Sequence, residues 1–128
     1  EYVWRAPAGK DVCNGRPGCN PGYSAAISVT EDYVLAGSNE GWLRAFDINN
    51  GQVLWEFDTT DAFTAVDGRT ARGGSIGGGQ APLVVGDRLI LNSGYAFAGK
   101  MPGNALLVLR LPPNQAQVAQ KSTERVAK

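Results

Sequence analysis

Cys13 and Cys19 stand in a stretch of Gly, Pro and Asn with five residues between them, a spacing that lets their α-carbons come within disulfide distance. A bond there would place the chain in an oxidising compartment, periplasmic or secreted. The other possibility is a reduced loop with two unrelated thiols. A metal site has less to draw on, because the chain has no histidine and no second cysteine pair. Without histidine there is no Ser-His-Asp arrangement, and Asp58, Asp61 and Asp67 are not spaced as a catalytic pair. The run Gly73-Gly74-Ser75-Ile76-Gly77-Gly78-Gly79 could turn backbone N–H groups toward an anion. It lacks the Gly-Lys-Ser/Thr ending of a phosphate loop, and no helical pattern follows it. Two readings of it stay open: close approach of backbone to a flat ligand, or a sharp bend where elements crowd. Arg44, Arg69, Arg72 and Arg88 are candidate anion contacts or ordinary surface cations, with Arg69 and Arg72 the better placed.

These residues must be positioned by strands. Residues 43–58 read as strand, polar turn, strand: both arms are rich in aromatic and branched residues, and Asn49-Asn50-Gly51 tolerates positive φ. The N-terminal Tyr2-Val3-Trp4-Arg5-Ala6 resembles Val53-Leu54-Trp55-Glu56-Phe57 at an offset of 51 residues. Repetition of strands at that period points to the radial four-stranded sheets of a β-propeller. Residues 24–29, 33–37, 42–47 and 52–58 then make one blade. Residues 82–85, 88–93 and 105–111 make three strands of another, whose outer strand is prevented by Pro112 and Pro113. Residues 2–6 read as the outer strand of a preceding blade. The fold class is therefore all-β: a partial propeller over 1–111, about two blades plus an outer strand, with a polar tail at 112–128 that is disordered or a frayed helix. Two blades fall short of a closed ring, so the chain is expected to be part of a larger protein or to associate with partners.

Because each strand reverses the last, the connections 7–23, 38–41, 59–81 and 92–104 fall at one end of the sheets, and the opposite end carries tight turns. Long irregular connections on a rigid scaffold are where binding and catalysis concentrate. Trp4, Trp42 and Trp55 are read as packing residues in preference to ligand platforms. Twelve basic and twelve acidic residues cancel without like-charge blocks, so nothing favours nucleic acid or an anionic membrane surface. No apolar run is long enough to span a bilayer.

The cysteine loop, Pro21-Gly22-Tyr23-Ser24-Ala25-Ala26, Ala36-Gly37-Ser38 to Asp47, Val53-Leu54-Trp55-Glu56-Phe57-Asp58-Thr59, Gly73-Gly74-Ser75-Ile76 and Asn92-Ser93-Gly94-Tyr95 to Met101-Pro102-Gly103-Asn104-Ala105-Leu106-Leu107 together resemble the C-terminal portion of polyvinyl-alcohol-dehydrogenase-like quinoproteins. The likeness covers about residues 1–111. It implies an eight-bladed propeller that binds pyrroloquinoline quinone with calcium at its axis, oxidises alcohols and passes electrons to a cytochrome. On that footing the chain would supply part of the axial wall through Ser24, Gly74 and Ser75. The resemblance assigns neither a catalytic base nor calcium ligands to this chain, which is expected to be inactive in isolation. Relatives with adjacent cysteines use their disulfide beside the quinone; Cys13 and Cys19 would instead staple a loop. The competing class is a non-catalytic propeller serving as a protein-interaction scaffold in the periplasm, since fold does not fix function.

Overall fold

The computed structural model describes residues 1–7, 12–95 and 98–111. Nine strands occur among them and no helix: β1 Ser28–Val29, β2 Tyr33–Gly37, β3 Trp42–Asp47, β4 Val53–Asp58, β5 Ala62–Thr64, β6 Thr70–Arg72, β7 Leu83–Val85, β8 Arg88–Ser93 and β9 Ala105–Arg110. They make three antiparallel sheets, ordered β1-β2-β3-β4, β5-β6 and β7-β8-β9. The expected tail at 112–128 lies outside the described residues.

The four-strand and three-strand meanders fall where the hydrophobic alternation places them. In β3, Leu43 and Ala45 turn to one face and Trp42, Arg44 and Phe46 to the other, as a period of two requires. Leu43 and Ala45 join Tyr33, Leu35, Ile76, Leu89 and Leu91 in one buried cluster, with Trp55, Phe57, Leu107 and Leu109 packed against it. The core thus lies between the first sheet and the third. Leu35, Leu43 and Leu89 are wholly buried, and removing such a side chain typically costs about 2–5 kcal/mol.

The hairpin between β3 and β4 is closed by its own turn residues. Asp47 Oδ1 accepts the Asn49 N–H at 2.7 Å, Asn50 Oδ1 accepts the Gln52 N–H at 2.9 Å, and Gly51 adopts a φ of 72°. The register shifts at Ala45/Phe46, so Leu54 is left over as a bulge and Trp55 turns toward the core beside Ala45.

Three expectations about strands need correction. Residues 2–6 form no strand. Trp4 instead lays its ring over the β3–β4 turn, donating its indole N–H to the Ile48 carbonyl at 2.8 Å and stacking on Phe46 at 6.2 Å between centroids. The turn carbonyl gives the part-buried Trp4 indole an acceptor without any backbone ladder. The first strand is Ser28–Val29 and not 24–29; the Ser24 hydroxyl is drawn instead to Asn39 at the sheet end. The connection 59–81 contains the unanticipated β5–β6 hairpin, whose turn carries Gly68 at φ 83° and an Arg69–Asp67 ion pair at 2.6 Å. That places the candidate cation Arg69 at an exposed hairpin tip, paired with its own turn.

Candidate functional site: a four-connection end

The four connections meet at one end of the first and third sheets, and their bonds to one another are specific. Ser38 N–H and Oγ both engage the Trp42 carbonyl, closing the 38–41 turn, and the Ile76 N–H donates back to the Ser38 carbonyl at 2.9 Å. The Thr59 hydroxyl donates to the Gly41 carbonyl at 2.6 Å and lies 2.6 Å from Ser93 Oγ. Ser93 Oγ accepts the Gly74 N–H at 2.9 Å. Each of these hydroxyls is buried, so each bond satisfies a group that would otherwise cost stability.

Ser75 is the centre of the junction. Its N–H donates to the Met101 carbonyl and its Oγ accepts the Met101 N–H, both at 3.0 Å; its carbonyl accepts the Gly94 N–H at 2.9 Å. The Ser75 hydroxyl proton goes to the Asn39 carbonyl at 2.5 Å. Asn39 in turn accepts the Ser24 hydroxyl on its Oδ1 at 2.7 Å and donates its Nδ2 to Asn20 Oδ1 at 3.1 Å. Ser24 and Ser75, distant in sequence, are thus joined through one residue. Gly74 sits beside them with no room for a side chain: a Cβ there would fall 2.6 Å from the Pro102 carbonyl oxygen. The close approach at Gly74 is therefore backbone to backbone.

A second polar cluster lies on the face of the first sheet turned away from the core. Arg44, 3% exposed in mid-strand, donates Nε to Glu56 at 2.8 Å, Nη1 to the Tyr23 hydroxyl at 3.0 Å and Nη2 to the fully buried Glu40, and its guanidinium lies over Trp42. Burial works against its charge, but the bonds to Glu56, Glu40 and Tyr23 outweigh burial and push its pKa above the ordinary arginine value. Glu40 Oε2 has no hydrogen-bond partner among the described residues. The cluster ties the 38–41 turn and the segment carrying Tyr23 to β3 and β4.

The disulfide joins Cys13 to Cys19, with 5.5 Å between α-carbons. Beyond the junction, a groove of about 670 Å³ opens between the glycine run and the third sheet, with Gln80, Asn92 and Tyr95 at its rim and Leu83, Ile90 and Leu106 along its wall. Asn92 Nδ2 donates to Gln80 Oε1 at 2.9 Å, and Tyr95 is exposed. This end offers hydroxyls, amides and glycines. Among the described residues no group of three His, Cys, Asp or Glu could hold a metal ion, and no helix is long and apolar enough to cross a membrane.

Asn39, Thr59 and Ser93 were not singled out by sequence reasoning, since neutral polar residues in turns carry no spacing signal. Arg44 did carry one: a cation inside Trp42-Leu43-Arg44-Ala45-Phe46 must find buried acceptors. Arg72 is exposed, and its backbone N–H donates to Asn104 Oδ1 at 2.9 Å.

No family model matches the chain. Polyvinylalcohol dehydrogenase of a Pseudomonas species is 38% identical over 105 residues, 80% of this chain and 16% of the relative. The Sphingopyxis polyvinylalcohol dehydrogenase is 40% identical over 79 residues, 61% of this chain and 12% of the relative. Quinoprotein ethanol dehydrogenase of Pseudomonas aeruginosa is 28% identical over 99 residues, 72% of this chain and 15% of the relative. The chain matches only 12% to 16% of the length of these relatives. The chain, all-β with a disulfide-stapled loop, is thus similar, over most of its length, to a stretch of the polyvinylalcohol dehydrogenases and, at lower identity, of quinoprotein alcohol dehydrogenases.

Proposed function

We propose that the chain is a segment of a quinoprotein alcohol dehydrogenase propeller, in which the four-connection end forms a neutral part of the axial wall. The observation that carries this reading is the convergence of Ser24 and Ser75 on Asn39, with Gly74 packed beside them. The identity to polyvinylalcohol dehydrogenase supports it.

Pyrroloquinoline quinone carries carboxylates, and calcium takes oxygen ligands, carboxylates among them. The described residues at this end supply no cation and no carboxylate cluster facing the groove, so by themselves they do not fit the pair. The chain's part is steric and hydrogen-bonding: it fixes a rigid, glycine-lined surface against which a flat group can lie. Acid–base work on the alcohol and the calcium ligands belong to other parts of the protein, as does the contact with a cytochrome. The disulfide favours a periplasmic or secreted location.

The bare outer face of the third sheet fits the same reading. Leu83, Val85, Leu106 and Val108 are each more than half exposed; a neighbouring propeller sheet would cover Val85 and Val108, while Leu83 and Leu106 face the groove. A second reading, a non-catalytic scaffold, is favoured by one observation: among the described residues no Asp, Glu, Lys or Arg lines the groove.

The two are separated by titrating the intact protein with pyrroloquinoline quinone, with and without calcium, while following tryptophan fluorescence. Saturable, calcium-dependent quenching is expected. A folded protein that shows none is a scaffold and not a quinoprotein.

A further inference from the structure

The geometry points to the Cys13–Cys19 disulfide as a redox-operated latch on the four-connection end: reducing it loosens the Ser75 junction while the two large sheets stay intact. The bonds form a closed circuit that begins and ends at the cysteine segment. Gly18, inside the disulfide loop at φ 76°, packs so tightly on the 98–103 connection that a Cβ there would lie 2.7 Å from the Lys100 carbonyl carbon and 2.8 Å from the Met101 nitrogen. Met101 passes this constraint on, exchanging two 3.0 Å hydrogen bonds with Ser75. Ser75 holds the Asn39 carbonyl at 2.5 Å. Asn39 then returns to the cysteine segment through its N–H to the Gly22 carbonyl at 2.8 Å and its Nδ2 to Asn20 Oδ1 at 3.1 Å.

The loop that grips both ends of this circuit is short, and its tip, residues 14–17, is exposed. Among the described residues its internal bonds include the Arg16 N–H and Nε to the Cys13 carbonyl at 3.0 and 3.3 Å and the Cys19 N–H to the Arg16 carbonyl at 3.2 Å. The covalent bond closes this loop around Gly18. Without it the loop regains conformations that withdraw Gly18 from Met101.

The chemistry needs a dithiol reductant. Cys13 is 4% exposed and Cys19 is the more open of the two, so the attacking thiolate bonds to Cys19 Sγ. The sulfur–sulfur bond breaks, its electron pair departs on Cys13 Sγ, and that sulfur takes a proton. The reductant's second thiol then displaces Cys19, leaving two protein thiols and a cyclic disulfide.

The inference rests on the loop geometry and stands whether or not the protein binds a quinone. It is tested by amide hydrogen exchange on the intact protein, oxidised and after dithiothreitol, with the Cys13→Ser/Cys19→Ser double variant measured alongside. A mass gain of two hydrogens confirms reduction. Exchange at Asn39, Ser75, Gly94 and Met101 is expected to quicken, on reduction and in the variant, at least tenfold more than exchange at the β2 and β3 amides, whose rise stays within the roughly thirtyfold that lost loop-closure entropy gives. No change at those four amides would reduce the disulfide to a staple of its own loop. An equal rise in β2 and β3 would make it a global stabiliser; either result overturns the latch.

Discussion

The first and third sheets share one core but differ in what lies on their other faces. The outer face of the first is roofed: Trp4 covers Phe46 and the β3–β4 turn, Tyr23 reaches in from the cysteine segment, and Arg44 is buried between Glu40 and Glu56. The outer face of the third is open, with Leu83, Val85, Leu106 and Val108 exposed. One face has been finished by the chain itself with a polar lock; on the other, Arg88, Asn92 and Arg110 share the surface with the exposed apolar residues. Apolar residues grouped on one exposed sheet face are what a contact surface requires. The roofed face therefore bears on stability within the chain, and the open one on the proposed packing against a neighbouring sheet.

The comparison breaks most visibly at Arg44. Arg44→Ala leaves Glu40 buried without its cation and is expected to cost about 3–5 kcal/mol, read as a fall in the urea midpoint. Arg88→Ala, at the exposed pair with Asp87 on the third sheet, is expected to cost under about 1 kcal/mol. If the two losses were equal, the roof would not be the stabilising element described here.

Next in size is the contrast between shared core and open face. Leu43→Ala should cost about 2–5 kcal/mol wherever it is measured. Val108→Ala should stay within about 0.5 kcal/mol in the isolated chain and become clearly destabilising only in a longer protein that covers the open face. Equal, small effects in both settings would mean that nothing packs there.

Opening the seven-residue loop from Cys13 to Cys19 should lower stability by about 2 kcal/mol through loop entropy, measured by calorimetry on the Cys13→Ser/Cys19→Ser variant. A loss well above that would mean the disulfide supports the sheets directly.

The smallest effect is a pH dependence of the first sheet. Burial, and then the charge of Asp32, raise the Tyr33 pKa above its ordinary 10.0. The folded state thus keeps this proton longer than the unfolded state. The associated stability is fully present below pH 10 and is lost as pH rises through the folded value. Tyr33→Phe should flatten that alkaline slope in denaturation midpoints measured between pH 9 and 12; an unchanged slope would assign it to another group.

Much of this fold was legible because hydrophobic alternation is a local signal. β2 and β3 fall where their period places them, and the Asn49-Asn50-Gly51 turn was recognisable from residue type. The failures have a common physical origin. Trp4 sits in a segment with the composition of a strand, yet a long-range indole bond to Ile48 decided its place. The Asp67-Gly68 turn inside the 59–81 connection was a hairpin signal masked by the surrounding glycines. At the candidate site, the glycine run stood out by type, whereas Ser75 entered only through the family resemblance. The partner that joins Ser75 to Ser24 is an asparagine in a turn, and only the third dimension brings it there.

Whether the four-connection end is part of a cofactor wall is read from an amide-exchange footprint of the intact protein with and without pyrroloquinoline quinone and calcium. Slowed exchange is expected in the connections 38–41, 73–79 and 92–95 and at Leu106 on the groove wall, with β4 unaffected. Binding that leaves those connections unprotected, or protects only residues elsewhere in the protein, would contradict it.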